Sequence, residues 1–213
     1  MGARRRLQLT IVFGVVAAVA LAACGTDYHY VKNSDEGVYL KVPNDWKLYD
    51  EEQYFRATLE EPSPAQLRDL REHEWAAAFD SDPNPSPSNL NALDSRHPHG
   101  FARIHDIGID EHDTFSLQSA RNLVAPVDEL IDAGAAQVLD ANEFSLDGGF
   151  RGSHIVVNLG LEKGGYTTLD QTVVVDAKTT KLYILAIGCS DTCYERNKDE
   201  IKSLVDSWTV RER

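Results

Sequence analysis

Four apolar segments near the carboxyl end of the chain place the strongest constraint on its fold. They cover residues 138–146, 150–159, 166–175 and 181–187, and apolar side chains alternate along them. Short sequences typical of turns separate the segments: DGG, EKGG and DAKTT. Strands joined by such short turns pair antiparallel with their neighbours in sequence. The segments therefore predict an antiparallel meander that forms the centre of a sheet.

Helical patterns lie before and after this meander. Ser63, Pro64 and Gln66 form a capping-box signature, which predicts a helix over residues 63–72. Apolar residues at helical spacing between residues 117 and 131 predict further helices. A closing helix and its exit carry an apolar stripe at Tyr194, Ile201, Leu204, Val205 and Trp208. Helices segregated from a largely antiparallel sheet indicate the α+β class, with an antiparallel sheet flanked by helices.

The longest stretch without a helical or strand pattern covers residues 81–100. It is rich in Pro, Ser, Asn and Asp, and it lies between two predicted strands. A loop of this length is usually functional or mobile, and its prolines reduce the entropy lost when it binds a partner. We predict a partner-binding surface here, with Leu90, Leu93, His97 and His99 as candidate contacts; a merely mobile insertion is the alternative.

The amino-terminal segment has the three parts of a bacterial secretion signal. Arg4, Arg5 and Arg6 precede an apolar run over residues 7–23, and small residues then lead to Cys24. The final Leu-Ala-Ala-Cys resembles the lipobox of bacterial lipoproteins. That resemblance implies cleavage before Cys24 and a thioether link from Cys24 to diacylglycerol. An uncleaved transmembrane anchor is the alternative, since the run is nearly long enough to span a bilayer.

These features divide the chain into three parts. Residues 1–23 are the predicted signal peptide, residues 24–36 the lipidated cysteine and a flexible tether, and residues 37–210 a single α+β domain. Loss of the three arginines takes the formal net charge from -13 to -16. Such a surface is repelled by nucleic acid and by anionic lipid headgroups, so we expect no nucleic-acid partner and membrane contact through the lipid alone.

Three stretches of the chain resemble a known family. They are GVYLKVPNDWKLY at residues 37–49, the meander ending in YTTLDQTVVVDAKTTKLYILAIGC, and the closing CSDTCYERNKDEIKSLVDSWTV. Together they resemble the PsbP-type domain of the extrinsic photosystem II subunit, whose fold a Ran-binding nuclear import factor shares. With the lipobox, the chain resembles the PsbP-like lipoproteins of high-GC Gram-positive, actinobacterial type. The resemblance implies a PsbP-like α/β/α sandwich and an accessory or binding role without established chemistry.

The two remaining cysteines, Cys189 and Cys193, lie at a strand end and a helix start. An oxidising compartment favours a disulfide, and four residues of separation bring the two Cα atoms to the required distance if the chain turns between them. Free thiols are the alternative. A metal site is not favoured, since the local sequence offers no further ligands.

Histidine and acidic residues are concentrated after the proline-rich stretch. His97, His99, His105 and His112 are ligand types suited to zinc, and several carboxylates lie near them. Their spacing is irregular, however, so a solvated polar loop is the favoured interpretation. We expect no metal and no cofactor, and we retain these four histidines only as weak candidates for metal binding.

No catalytic motif stands out. Ser153 lies beside His154, but the sequence lacks G-x-S-x-G, and adjacent strand residues point to opposite faces. We therefore expect no enzyme but a lipid-anchored, extracytoplasmic binding or accessory protein on the outer face of the cell membrane, with an envelope protein as partner. The alternatives are a small-molecule or metal-binding lipoprotein and, less favoured, a hydrolase. An apolar cleft with converging polar groups would favour the small-molecule binder.

Overall fold

The computed structural model of the chain describes residues 27–112 and 114–212, without the side chain of Asp110. Cys24, the lipidation predicted for it and the predicted signal peptide lie outside the described residues. A small sheet joins the two ends of the described chain in the order β1-β2-β10. Its strands are β1 (Tyr28–Asn33), β2 (Val38–Pro43) and β10 (Thr209–Val210). No helix in this part of the chain is long and apolar enough to cross a membrane.

A seven-stranded sheet forms the centre of the domain. In chain order its strands are β3 (Lys47–Tyr49), β4 (Glu74–Asp80), β5 (His99–Asp106), β6 (Ala136–Ser145), β7 (Arg151–Gly160), β8 (Tyr166–Val175) and β9 (Lys181–Ser190). In space the order is β3-β4-β5-β9-β8-β7-β6, and every neighbouring pair is antiparallel. The four predicted segments correspond to β6, β7, β8 and β9, and each pairs antiparallel with the next along the chain. The predicted meander is therefore confirmed.

Helices cover both faces of this sheet. They are α1 (Glu51–Thr58), α2 (Pro64–His73), α3 (Ile109–His112), α4 (Leu117–Ala120), α5 (Val127–Asp132), α6 (Asp191–Arg196) and α7 (Lys198–Ser207), with short 3₁₀ helices at Pro87–Asn91 and Asp147–Gly149. The predicted capping box of α2 is present, because Ser63 Oγ accepts from the Gln66 N–H and the Gln66 side chain accepts from the Ser63 N–H.

The core is divided between two faces of the large sheet. On one face, α1 and α2 pack against β4, and α4 and α5 pack against the centre of β7, β8 and β9. On the other face, the small sheet, α6 and α7 pack against β4, β5 and β9. Fully buried Leu40, Phe79, Leu185, Ile187 and Ile201 belong to this second layer. The result is the α+β arrangement predicted from the sequence, an antiparallel sheet flanked by helices.

The predicted tether over residues 24–36 is wrong from Tyr28 onward. Tyr28–Asn33 pairs along its whole length with β2, Val31 is buried, and the Tyr30 ring stacks on Tyr39 at 6.0 Å. The apolar alternation is weak because β1 is an edge strand with one buried side chain, so polar residues dominate its sequence. The domain therefore includes β1 and does not begin at residue 37.

Cys189 and Cys193 are joined by a disulfide at the junction between β9 and α6. Their Cα atoms are 5.9 Å apart, within the range that a disulfide requires, and both residues are buried. The pairing is the one predicted from the spacing. It fixes the start of α6 against the end of β9, and so holds the closing helices close to the sheet.

Among the described residues, the buried core residues lie between Val31 and Val210. The chain from residue 25 to residue 213 therefore contains every element of the described fold.

Candidate functional site

A cleft of about 1210 Å³ opens between the large sheet and the closing segment of the chain. One wall is the face of β6, β7 and β8 that α4 and α5 do not cover, and the other wall is α6, α7 and the residues that follow. Val156, Val174, Val205, Trp208 and Val210 give it apolar walls. The volume is at least that of ordinary ligand pockets, roughly 300–1000 Å³, so a small molecule with an alkyl chain fits inside.

The cleft face of β8 follows from the alternation of its side chains. Asp170, Thr172 and Val174 line the cleft, whereas Gln171 and Val173 point to the other face. On that other face the Gln171 amide donates to the Ala120 carbonyl at 3.2 Å. Strand β8 therefore buries one face in the core. Its other face gives the cleft two polar side chains, Asp170 and Thr172, followed by the apolar Val174.

Phe144 covers the floor of the cleft because a glycine lies beneath it. Gly152 is its direct partner on β7, and a Cβ atom built at Gly152 would collide with the Phe144 ring. The ring therefore lies flat across the neighbouring strand. Any side chain at position 152 would displace Phe144 from the cleft.

The polar centre of the cleft is the carboxylate of Asp170. Asp170 is only 5% exposed, yet it has two strong partners. The Tyr194 hydroxyl donates to its Oδ2 at 2.7 Å, and His154 Nε2 lies 2.9 Å from its Oδ1. These contacts join β7, β8 and α6 at one point, and they satisfy a charge that would otherwise be costly to bury.

The Asp170 carboxylate changes the acid–base properties of both partners. Its hydrogen bond is the largest cause of the raised pKa of His154, with Asp140 and Asp206 adding to it and burial opposing it. Burial, followed by Asp170, raises the pKa of Tyr194 far above its ordinary value. His154 is therefore protonated over a wider pH range than a free imidazole, and Tyr194 remains a neutral donor.

Two polar groups among the cleft residues have no hydrogen-bond partner within the described chain. They are the hydroxyl of Thr172, a residue only 6% exposed, and Nε1 of Trp208. Buried polar groups in proteins are almost always paired, and unpaired ones cost about 1–3 kcal/mol each. Their position in a cleft indicates that a bound molecule could satisfy them.

His154 has no nucleophile beside it in the part of the chain that the structure describes. Its Nδ1 lies 3.3 Å from the amide oxygen of Asn142, and its Nε2 faces Asp170. Ser153 precedes it on β7 and, as expected for adjacent strand residues, does not line the cleft. The aspartate and histidine therefore lack the hydroxyl or thiol that would complete a triad for nucleophilic catalysis.

The four histidines considered as metal ligands do not form a cluster. Across residues 27–112 and 114–212, no three histidine, cysteine, aspartate or glutamate side chains are arranged to hold a metal ion. His99 is buried at the start of β5, where burial lowers its pKa. His97 is half-buried in the loop before it, and His112 ends α3.

His105 belongs to an ion-pair cluster on β4 and β5. Glu74 accepts two hydrogen bonds from Arg103, at 2.6 and 2.7 Å. His105 Nε2 lies 3.1 Å from Glu111, and its Nδ1 is 3.3 Å from Glu74 but outside hydrogen-bonding geometry. The Glu74 carboxylate is the main cause of the raised pKa of His105. The His105 ring is therefore engaged with the carboxylates of Glu74 and Glu111.

Asp80, the last residue of β4, holds the proline-rich stretch in place through hydrogen bonds to its carboxylate. Asp80 is 1% exposed, and its carboxylate accepts from the N–H groups of Asp82 and Ser86, the Asn89 amide and the Tyr49 hydroxyl. Burial, with Asp80 second, raises the pKa of Tyr49 to about 12.

Only part of the predicted partner surface on this loop is exposed. His99 is buried and is not available as a contact. Leu90 is half-buried, with part of its side chain packed against the cluster formed by α1, α2 and β4. Leu93 is 64% exposed and His97 is half-buried, so the prediction of a partner surface remains for Leu90, Leu93 and His97.

The polar centre of the cleft was missed in the sequence. In the sequence, Asp170 lies within a predicted strand, Tyr194 lies on the apolar stripe of the closing helix, and His154 lies beside Ser153 without a catalytic motif. One weak signal is present: Asp170 is the only charged residue in the strand predicted over residues 166–175. A buried carboxylate needs partners, which makes Asp170 a position to examine.

The layers described above define an α+β sandwich with an antiparallel central sheet. The fold is PsbP-like: the solution structure of cyanobacterial PsbP (CyanoP) from Synechocystis is similar to this chain with a TM-score of 0.52 and 14% identity, over 90% of this chain and 99% of that one. No protein-family model matches the sequence. No curated protein matches it either.

Two further solved structures are similar at lower scores. LpqN of Mycobacterium tuberculosis, described as involved in cell envelope biogenesis, has a TM-score of 0.48 and 19% identity over 87% of this chain and 91% of that one. The Ran-binding protein Mog1p of Saccharomyces cerevisiae has a TM-score of 0.44 and 10% identity over 86% and 95%. At these levels of identity the comparisons show the fold alone.

Replacing His154 with glutamine should reduce stability more at low pH than at high pH. Because the pKa of His154 is raised in the folded state, its contribution is complete below the unfolded pKa of about 6.5 and is lost as the pH rises through the folded pKa. Urea unfolding of both proteins at about pH 5.5 and about pH 8.5 measures the difference. The other histidines contribute equally to the pH dependence of both proteins, so their effect cancels in the difference. An equal difference at the two pH values would contradict the assignment.

Proposed function

We propose that this protein is a lipid-anchored, extracytoplasmic binding protein of the cell envelope that holds a small amphipathic molecule in its cleft and performs no chemistry on it. The observation that carries the proposal is the cleft itself, with apolar walls around a buried polar centre at Asp170. Among the functions considered from the sequence, this arrangement favours the small-molecule binder over the proline-rich loop as the main binding surface.

The lining of the cleft supports binding. Val156, Val174 and Trp208 offer apolar surface in one part of the cleft. The polar side chains of Asp170, His154 and Tyr194 meet in another part. Burial of apolar surface contributes about 25 cal/mol per Å², so a chain of several methylene groups gains most of its affinity from the walls. The polar centre then fixes the orientation of the ligand.

The contacts of His154 support binding without catalysis. Both ring nitrogens are engaged by Asn142 and Asp170, and within the described chain neither faces a nucleophile. A general base needs free access to the proton that it removes. His154 instead holds strands β6, β7 and β8 in register on the cleft side.

The proposal is tested with N-phenylnaphthylamine, an uncharged probe whose fluorescence rises in apolar surroundings. We expect saturable binding to the chain from residue 25 to 213. The Asn142→Trp variant fills the mouth of the cleft from β6 and should weaken binding by about tenfold or more. Fluorescence titration measures both affinities.

The matched control is Glu143→Trp. Glu143 is the next residue on β6, is exposed and does not line the cleft. Glu143→Trp places the same tryptophan side chain on the opposite face of the same strand. The affinity for the probe should therefore stay within about twofold of that of the parent chain. Equal loss in both variants, or no saturable binding to the parent chain, would overturn the proposal.

The envelope location in the proposal rests on Cys24 and the segment before it. Replacing Cys24 with serine removes the only thiol near the signal segment and should leave the protein unlipidated, either released from the membrane or retained as an uncleaved precursor. Metabolic labelling with an alkyne fatty acid measures the lipid directly. Persistent labelling of the Cys24→Ser protein would contradict the anchor. We further propose that Leu90, Leu93 and His97 remain available for an envelope protein partner.

A further inference from the structure

We infer that the cleft selects amphiphiles with a positively charged head group over those with a negatively charged one. This inference rests on the proposed function, because it names the class of ligand that the cleft would take.

Carboxylates outnumber cations around the cleft. Its lining contains six carboxylate side chains, three permanently charged cations and one histidine. The carboxylates are Asp140, Asp147, Asp170, Glu195, Asp206 and Glu212, and the cations are Lys198, Lys202 and Arg211. Because apolar walls screen charges less than water does, this excess of carboxylates makes the electrostatic potential inside the cleft negative. The whole chain, with a formal net charge of -13, adds to it.

Most of the positive charge in the cleft is already neutralised by side chains of the protein. Lys202 Nζ lies 2.5 Å from Asp206 and Lys198 Nζ lies 3.4 Å from Glu195. His154 is held by Asp170. Among the residues that the structure describes, Arg211 is the cleft cation without an ion-pair partner. The same pairs occupy Asp206, Glu195 and Asp170, which leaves three cleft carboxylates without a lysine or arginine partner among the described residues, namely Asp140, Asp147 and Glu212.

The excess of negative charge is concentrated near the polar centre. Asp140 contributes to the raised pKa of both His154 and Tyr194, and Asp206 and Glu195 contribute to one each. Asp140 Oδ2 lies 4.0 Å from His154 Nδ1, beside the contact between His154 and Asp170. A cationic head group placed here is attracted chiefly by Asp140, because Asp206 and Glu195 are already paired with Lys202 and Lys198.

Thr172 provides an unpaired polar group at the same position. It lies between Asp170 and Val174 on the cleft face of β8, it is more than nine-tenths buried, and its hydroxyl has no partner in the described chain. The Thr172 hydroxyl can accept from an ammonium N–H or donate to a carboxylate, so it positions a polar head group, and the charge preference comes from the surrounding carboxylates. The apolar chain of the same molecule continues over Val174 towards Phe144 and Trp208. The polar and apolar parts of such a ligand thus meet matching surfaces.

The test compares two amphiphiles with the same alkyl chain, decylammonium and decanoate. Each displaces N-phenylnaphthylamine from the chain spanning residues 25–213 at neutral pH, below its micellar concentration. Decylammonium should bind at least about tenfold more tightly than decanoate. The ratio should fall when salt rises from about 20 mM to about 500 mM, because exposed charges such as Asp140 are screened.

A pair of single substitutions separates the cleft charges from the overall charge of the protein. Asp140→Asn removes a cleft carboxylate that is 66% exposed, so folding should be preserved, and the ratio should fall by about two- to fivefold. Asp69→Asn removes an exposed carboxylate from α2, which does not line the cleft, and should leave the ratio unchanged.

The outcomes distinguish this inference from the proposed function. A ratio near one, or tighter binding of decanoate, overturns the inference while the cleft remains a binding site. An equal effect of Asp69→Asn and Asp140→Asn also overturns it, because the preference would then come from the net charge. Failure of N-phenylnaphthylamine itself to bind overturns both.

Discussion

Replacing Asp80 with alanine should lower the free energy of unfolding by about 2–4 kcal/mol. The carboxylate is fully buried and accepts four hydrogen bonds, from the Asp82 and Ser86 N–H groups, the Asn89 amide and the Tyr49 hydroxyl. Alanine leaves all four donors without their acceptor. Hydrogen bonds to a charged group contribute about 1.5–3 kcal/mol each, and water entering the loop recovers part of that.

Urea unfolding measures the loss for Asp80→Ala, and limited proteolysis shows where it acts. We expect new cleavage between residues 81 and 98, since the proline-rich stretch is held by this side chain. Asp82→Ala is the matched control, because the Asp82 carboxylate accepts one hydrogen bond from the described residues, that of the Asn84 N–H in the same loop. It should cost less than about 1 kcal/mol. If the two variants were equally stable, Asp80 would not be the anchor of the loop.

The second large effect is expected for Asp170→Ala, at about 2–4 kcal/mol. Removing this carboxylate leaves the Tyr194 hydroxyl and His154 without their shared acceptor, and it removes the link between β8 and α6. Deleting one member of a buried charged pair is costly because the other member keeps its desolvation penalty. The pH dependence assigned to His154 should largely disappear in the same variant.

Asp140→Ala is the matched control for Asp170→Ala. Asp140 also faces His154, but it lies 4.0 Å away and is 66% exposed, so its loss should cost less than about 0.5 kcal/mol. The double variant Asp170→Ala with Tyr194→Phe should lose less than the sum of the single losses, because the two residues form one hydrogen bond. Full additivity would contradict the shared contact.

The antiparallel meander could be predicted from the sequence because its signals are local. Alternating apolar residues in β6 to β9 and short turns between them specify consecutive pairing, and the structure has that pairing. The capping box at Ser63 likewise marked the start of α2. In each case the information lies within a few residues of the feature that it predicts.

Elements at the margins were harder to predict. Helix α1 was not predicted, although Asp50 and Gln53 form a capping box at its start. Thr192 and Glu195 have the spacing of a capping box and predict a helix start at Thr192, but this is wrong, since α6 already begins at Asp191 directly after β9. Strand β1 depends on β2 for its partner, and its own sequence shows only one buried apolar residue.

The cleft could not be predicted because its residues come from distant parts of the chain. His154, Asp170 and Tyr194 each look ordinary in their own segment, and only the antiparallel register of β7 with β8 and the position of α6 bring them together. Sequence patterns report which face of an element is buried. They do not report which two elements leave a gap between them.

The most direct test of the cleft as a binding site is the indole region of a nitrogen-15 correlation spectrum. Trp208 lines the cleft and its Nε1 has no hydrogen-bond partner in the described chain, whereas Trp46 is buried in the core on the small sheet. On titration of the chain from residue 25 with N-phenylnaphthylamine, the Nε1–H resonance of Trp208 should shift progressively to saturation while that of Trp46 stays in place. A Trp208 resonance that does not move at saturating probe, or a shift of Trp46 without one of Trp208, would contradict a ligand-binding cleft between the sheet and the closing helices.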